Sequence, residues 1–488
     1  MVYRGLRPCS VKNKTGAMDI GIVGLGAMGK NLALNFHRNK FKVAIYNRTH
    51  SKAKAVADEL KSESLKAYES VSDFVASLVK PRVIVLLVQA DAVDSVGEMM
   101  AKCMQEDDII IDSGNSYYKL TEERKIHFYK NFKVHFYGIG ISGGEEGALW
   151  GPAIMVGGDE ESARKRLLPL LEKVCADPQV EGTDGKKCIS YCGPGGAGHM
   201  VKMVHNGCEY GIMQLISEAI AIFRSVLKFS VEQVADVFAL YAKTEGCYLF
   251  ENVAQILYKK ENDKPLIDFV KDVAMQKGTG RWTSIEALNL GVCATIIDAG
   301  VAARTFSSSK DRFLMHVEDS TALLKSVFTQ GLCKDAIMRS LLAAMLLAFQ
   351  QSICVIHALS ESMQYNTSIF EALCSWRGGC IIRMNLLTPL ADFYKQNANK
   401  RVPLMHASFV KEKYINRDVV SQLRLLVSSA VKAGLPIPAF SSAMTYLDMI
   451  QTEVLPTKYI QGMRDNFGAH TYERIDKEGV FHSVWTEK

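Results

Sequence analysis

The chain has 488 residues, with 58 Lys and Arg against 52 Asp and Glu, giving a net charge of +6. That length allows two or three domains with ample core. The mild positive charge suits an anionic small substrate and does not call for nucleic acid as a partner. At 48% hydrophobic and 23% charged residues, the composition is that of a soluble globular protein.

The first segment, MVYRGLRPCSVKNKTGA (residues 1–17), is basic but lacks the apolar stretch of a secretory signal. It reads as an N-terminal extension, and its lack of acidic residues is compatible with organelle targeting. From Met18 the pattern alternates. Met18–Gly26 is a short apolar strand running into a glycine turn, and Met28–Asn39 reads as a helix. Phe41–Arg48, Arg82–Val88 and Asp108–Gly114 are further strands, with helical stretches between them. This alternation predicts an α/β, Rossmann-like, doubly wound parallel sheet over residues 18–194.

GLGAMG (Gly24, Leu25, Gly26, Ala27, Met28, Gly29) is a G-x-G-x-x-G turn between a strand and a helix, the context in which this motif binds a dinucleotide pyrophosphate. The second strand ends in Asn47, Arg48 and Thr49. A carboxylate at that point would hold the ribose hydroxyls of NAD and repel a 2′-phosphate. An arginine with hydroxyl and amide donors instead predicts NADP. The same Asn47–Thr49 triplet matches a glycosylation sequon, which means little without a secretory signal.

GPGGAG (Gly193–Gly198) reads as a flexible boundary. Residues 195–450 are rich in Ala, Leu, Met and Ser, with long 3.6-residue periodicity, and predict a large all-α domain. Within it, Ser217–Phe229 and Ser340–Ser362 are loosely alike, which suggests duplicated helical units. The most apolar run, Leu341–Phe349, stops at Gln350 and Gln351, short of the ~18 residues of a membrane span. Residues 451–488 are too polar to build a core of their own and are expected to lie across another surface. The 12 cysteines include no C-x-x-C pair. Cys188 and Cys192 lack zinc-site partners, so free thiols in a reducing compartment, and no metal site, are expected.

VKMVHNGCEY (Val201–Tyr210) carries four polar residues at helical spacing. At about 100° per residue, Lys202 and Glu209 fall only about 20° apart, with His205 and Asn206 between them. Taken alone, such a stripe is ordinarily a solvated face with a weak ion pair. ISGGEEGALWGP (Ile141–Pro152) can offer amide donors to an anion or be a plain turn. Lys277–Gly280 (KGTG) has one cation and one hydroxyl, from Thr279, among glycines. Arg304 and Arg464 are single cations, each most simply read as surface charge.

Together, GLGAMGKNLALN, YNRT, IIDSGNS, ISGGEEGA, GAGHMVKMVHNGCEYG, QKGTGRWT, WRGGCIIR and RDNFGAHTYER closely resemble the decarboxylating 6-phosphogluconate dehydrogenase family of the oxidative pentose phosphate pathway. The resemblance runs from about Asp19 to about Trp485. It implies a cytoplasmic, NADP-dependent oxidoreductase that converts 6-phosphogluconate to ribulose 5-phosphate, CO2 and NADPH. Lys202 matches the family's general base and Glu209 its general acid. Asn115, Ser142, Gly143, Gly144, His205, Asn206, Tyr210, Lys277, Thr279, Arg304, Arg464 and His470 match substrate contacts, with Tyr210, Lys277, Arg304 and Arg464 suited to the phosphate end. Gly24–Gly29, Asn47, Arg48, Thr49, Val88, Gln89, Ala90 and Asn115 match cofactor contacts. The resemblance also implies a homodimer whose tail reaches the neighbouring subunit's site, which would supply Arg464 and His470.

Three positions depart from the commoner pattern. Gly26 replaces Ala, which keeps the turn. Gln89 replaces a lysine near the adenine and removes one charge. Ile212 replaces a frequent Asp just past the active helix. Two other readings compete: a shorter β-hydroxyacid dehydrogenase of the hydroxyisobutyrate type, which would lack the second helical half and the tail, and a catalytically silent NADP-binding scaffold, which would not need Lys202 and Glu209.

Overall fold

The computed structural model describes residues 18–310, 312, 331–398 and 402–486. The N-terminal extension, with its targeting reading and Cys9, lies outside the described residues. The remaining 11 cysteines are all free thiols.

Eight strands form one sheet in the order β3-β2-β1-β4-β5-β6-β7-β8. They are β1 (Ile20–Val23), β2 (Val43–Tyr46), β3 (Leu65–Tyr68), β4 (Val83–Leu86), β5 (Ile109–Asp112), β6 (His135–Ser142), β7 (Ala153–Gly157) and β8 (Ile189–Gly193). The central strands are apolar on both faces because both faces are covered. Ile109 and Ile111 join the core on one side, and Ile110 joins the core on the other, as the two-residue period requires. Helices α1 (Ala27–Arg38), α2 (Tyr118–Phe132) and α3 (Gly144–Trp150) connect strands of this sheet.

The sheet departs from the all-parallel expectation at one seam. β6 and β7 pair antiparallel, with Ile139 opposite Val156 and Ser142 opposite Ala153. The chain between them, residues 143–152, is shorter than the dozen or so residues of a parallel crossover. Positive φ at Gly143, Gly144 and Gly151 lets it reverse.

The expected flexible boundary is instead closely packed. Helix α4 (Ala197–Ser225) starts directly behind β8, and the amide of Gly196 donates to Glu122 Oε1 at 2.7 Å. α4 lies on β6 and β7 through glycines. A Cβ added at Gly138 would meet the His199 ring at 2.6 Å, and one added at Gly198 would meet the Met155 carbonyl oxygen at 2.4 Å.

The helical part follows: α5 (Thr279–Asn289), α6 (Thr295–Ser307), α7 (Lys334–Ser362) and α8 (Pro438–Gln451). The two segments that looked alike lie on α4 and α7. Each helix has 29 residues, and the two pack against one another. α7 is also longer than its apolar run suggested. By length and composition it could cross a membrane, but 83% of its most apolar window is buried in the protein, so it serves as a core helix. Buried polar groups cap helix ends here. Gln351 of α7 accepts from the Ile296 amide at 2.9 Å and donates to Thr295 at 3.2 Å. Glu218 of α4 accepts from the amides of Ala439 and Phe440 at 2.8 and 2.9 Å.

The tail has more internal order than its composition suggested. Helix α9 (Thr457–Gly468) and a small hairpin, β9 (Tyr472–Glu473) with β10 (Val480–Phe481), gather around the buried Asp465. Its carboxylate accepts from the Thr471 amide, the His482 ring, the Ser483 amide and the Trp485 indole at 2.7–3.1 Å. Burial opposes its ionisation, but these donors outweigh it and hold the acid down at about 2. Along α9, Tyr459, Ile460, Met463 and Phe467 remain exposed.

Candidate active site

The glycine turn carries its own geometric requirements. Gly24 has φ +91°, and a Cβ there would meet the Leu87 carbonyl oxygen at 2.5 Å. A Cβ on Gly29 would fall 1.9 Å from the Gly24 carbonyl oxygen, so this glycine lets α1 close on the strand. Around Gly26 there is open space, and α1 begins behind it with no side-chain cap. Free amides at a helix start, beside a glycine with room in front of it, suit a pyrophosphate. Leu25 is buried under the turn, whereas Ala27 is exposed and Met28 half-buried. Gly29→Ala should therefore abolish NADP binding or folding, while Gly26→Ala should change the KM for NADP less than about twofold, within the ±0.5 kcal/mol of a neutral surface change. Steady-state kinetics of the two variants checks this.

Asn47 braces the turn. Its Oδ1 accepts from the Leu25 amide and its Nδ2 donates to the Thr49 carbonyl, both at 3.0 Å. Arg48 and Thr49 are exposed beside it, and Arg48 makes no ion pair among the described residues. Val88–Ala90 follow β4 and Asn115 follows β5, both at the carboxyl ends of strands, where open α/β sheets bind ligands. Gln89 is exposed there.

The polar stripe on α4 is not a solvated face. Lys202, His205 and Asn206 are buried, and Glu209 is half-buried. Gly140 on β6 makes room for the lysine, since a Cβ there would sit 2.4 Å from Lys202 Cβ. Burial pushes the Lys202 ammonium down to about 8, against the pull of Glu209 and the Cys380 thiol. Burial pushes the Glu209 carboxyl up, against Lys202 and Arg304. His205 is driven well below its ordinary value, first by burial and then by Lys202, so its imidazole is neutral. Its Nδ1 lies 3.1 Å from Asn206 Oδ1 and its Nε2 lies 3.4 Å from Ser142 Oγ. Asn206 Nδ2 donates to Thr279 Oγ1 at 3.2 Å and to Asn115 Oδ1 at 3.4 Å. The orientation of Asn206 therefore assigns the proton of His205 to Nδ1.

The structure thus brings Asn115, Ser142, Lys202, His205, Asn206, Glu209 and Thr279 together. Gly143 and Gly144 turn the chain from β6 into α3. Tyr210 is buried beside the stripe, with the Arg304 guanidinium 3.6 Å above its ring. Lys277 stands exposed just before α5. Arg464 and His470 are not brought in. Among the described residues Arg464 bonds only Gln461 of its own helix, at 3.0 Å, and His470 packs on Phe467. Ile212 lies within α4 and not past its end, fully buried in the helical core, where an aspartate would be unpaired.

Residue-level reading missed the wall opposite the stripe. Trp376 meets the His205 ring edge-on at 5.4 Å, and Cys380 is close enough to influence Lys202 and Glu209. The Gly379 carbonyl oxygen would meet a Cβ on Gly143 at 2.3 Å. Their segment, WRGGCIIR, stood out only as a whole. Thr283, which donates to the Met203 carbonyl at 2.9 Å and fixes α5 on α4, gave no sequence signal.

A phosphate-binding turn at the head of a doubly wound sheet, facing a buried amine and carboxyl, is the architecture of a nicotinamide-dependent dehydrogenase. Two family models match the chain: the NAD binding domain of 6-phosphogluconate dehydrogenase over residues 19–193, and the 6-phosphogluconate dehydrogenase C-terminal domain over residues 198–485. The chain belongs to the 6-phosphogluconate dehydrogenase family. It is 41% identical to the NADP(+)-dependent, decarboxylating 6-phosphogluconate dehydrogenase of Bacillus subtilis, over 96% of this chain and 99% of that one. It is 39% identical to the decarboxylating enzyme of Buchnera aphidicola over the same shares. Among solved structures, the Plasmodium falciparum 6-phosphogluconate dehydrogenase, described with NADP+ and with its substrate 6-phosphogluconate, superposes with a TM-score of 0.82. It shares 34% identity and covers 96% of this chain and 100% of its own.

Proposed function

We propose that this chain catalyses the NADP-dependent oxidative decarboxylation of 6-phosphogluconate to ribulose 5-phosphate, CO2 and NADPH. The observation that carries the residue roles is the pairing of Lys202 and Glu209 on one buried helix face, with the amine pushed down and the carboxyl pushed up. NADP, when bound, supplies the hydride acceptor. Neutral Lys202 takes the proton of the substrate's C3 hydroxyl. Once the 3-keto acid has formed, the Lys202 ammonium donates to the oxyanion that develops as CO2 leaves. Glu209 then protonates the enediol carbon while neutral Lys202 takes back the enediol hydroxyl proton, and the resulting ammonium–carboxylate pair is reset by one proton exchange. Neutral His205, held by Asn206 and Ser142, orients the hydroxyl and carboxyl end without adding charge beside the base. Arg304 on Tyr210, together with Lys277, receives the phosphate.

Arg48 holds the 2′-phosphate. Arg48→Ala should raise the KM for NADP about 10- to 100-fold, the equivalent of one charged hydrogen bond of ~1.5–3 kcal/mol. It should leave the KM for NAD nearly unchanged, and steady-state kinetics with both nucleotides checks this.

We divide the chain into an NADP-binding unit (18–194), a helical substrate and dimerisation unit (195–450) and a tail (451–488). We also propose a homodimer in which α9 lies on the second subunit and delivers Arg464 and His470 to its site. The exposed apolar row Tyr459, Ile460, Met463 and Phe467 supports this, since it has no cover among the described residues of one chain. We place the protein in the cytoplasm. The hydroxyisobutyrate-type reading fails, because the family match continues to residue 485. A silent scaffold would have no use for a buried lysine. The deciding experiment follows NADPH absorbance and CO2 release with purified protein, NADP and 6-phosphogluconate. Absence of both in a folded, NADP-binding protein would falsify the reading.

A further inference from the structure

A buried carboxylate outside the stripe ties together two elements that carry the site. Glu286 lies on α5 and is 3% exposed. It accepts from three consecutive residues: the Tyr117 hydroxyl, the Tyr118 hydroxyl at 3.0 Å and the Lys119 ammonium at 2.8 Å. Burial opposes its charge, but Lys119, Tyr117 and Tyr118 together keep the carboxyl below its ordinary range. Tyr117 also packs on Trp282 of α5 at 5.3 Å. These donors stand two to four residues beyond Asn115, where the loop from β5 enters α2: Tyr117 caps the helix, and Tyr118 and Lys119 are its first two residues. Thr279 and Thr283, two turns and one turn before Glu286 on α5, bond Asn206 and the Met203 carbonyl of α4.

The contacts form a closed frame. Asn206 joins Asn115 to Thr279 at one end, and Glu286 joins residues 117–119 to the same helix two turns further on. We infer that Glu286 is a positioning residue that couples the two halves of the site, so that a nucleotide on the Asn115 loop sets the substrate face of α5, and substrate on α5 sets the loop. This rests on the proposed roles of Asn115 and Thr279. A rigid tie between two binding surfaces means that the first ligand bears the ordering which the second then finds already done. Linkage makes that coupling reciprocal.

The test titrates NADPH by its fluorescence with and without 6-phosphogluconate, in the wild-type protein, Glu286→Gln and Lys119→Met. In the wild type each ligand should tighten the other about fivefold or more. Glu286→Gln keeps the side chain's shape but loses the ion pair and part of the acceptor capacity, and should bring this ratio to within about twofold of one. It should raise both KM values while kcat at saturation stays within about threefold. Lys119→Met, at a side chain already 45% exposed, should give an intermediate ratio, and it decides the matter if the first variant does not fold. A wild-type ratio of one, or an unchanged ratio in the variants, overturns the inference. Wild-type reduction of NADP by 6-phosphogluconate is scored separately, so failure of the proposed reaction would be seen as such.

Discussion

Lys202→Met should lower turnover about a thousandfold, in the middle of the 10²–10⁴ range for a positioned proton-transfer group, while leaving the protein folded and more stable. Methionine replaces the buried stem at nearly the same volume. In the proposed mechanism it removes the group that takes the hydroxyl proton and later polarises the ketone, so both hydride transfer and CO2 release should slow. The stability gain follows from the same burial. A fall in pKa from 10.5 to about 8 means that the folded state disfavours the ammonium by roughly 3 kcal/mol. Because the folded value is the lower one, the unfolded chain binds more protons between pH 8 and 10.5. Stability due to this group therefore rises with pH across that window and is at its lowest below pH 8. Thermal melts at pH 7 should show the methionine variant more stable by up to about 3 kcal/mol. Near-normal turnover would remove Lys202 from the mechanism, and a large loss of stability would mean that its ammonium is held by partners and not merely buried.

Glu209→Gln should reshape the pH profile as well as lower the rate. In the wild type the productive pair holds one proton between amine and carboxyl. Below the raised pKa of Glu209 both groups are protonated, and above about 8 both have lost their protons. Turnover should therefore be bell-shaped, with limbs at these two values. The glutamine variant cannot protonate the enediol carbon and should lose at least a hundredfold in complete turnover. Any NADP reduction that remains should depend on Lys202 alone. It should rise with pH to a plateau, with its midpoint below 8, because the carboxylate that helped hold the lysine's proton is gone. A bell that survives unchanged in Glu209→Gln would assign its lower limb to another group.

The dinucleotide half of the site was legible because its requirements are local. Gly24 is demanded by its own positive φ and Gly29 by its contact with the Gly24 carbonyl, both within one strand-turn-helix unit, and the role proposed for Arg48 rests on its place at the end of the next strand. The stripe's spacing was also legible, because Lys202 and Glu209 sit on one continuous helix. Its burial was not, since that depends on Gly140 of a strand far away in sequence and on the Trp376–Cys380 wall. The antiparallel β6–β7 seam was hidden for a similar reason: three glycines in a segment that read as an anion-binding loop or a plain turn are what allow the reversal. Glu286 gave no signal in the sequence, because its three donors lie more than 160 residues earlier in the chain.

The glycine contacts beneath α4 also decide which parts of the protein can move. With Gly138, Gly140, Gly157 and Gly198 holding helix backbone against strand backbone, the base-bearing helix and the nucleotide-bearing sheet travel as one rigid body. A hinge between them would have to pull apart main chain that touches main chain. Jaw-like closure of one lobe on the other is therefore not how this active site admits its substrate or shuts out water. Under the roles proposed for Lys277 and the tail, gating falls to parts without such seams: the exposed stretch that leads up to Lys277, and the tail built on Asp465.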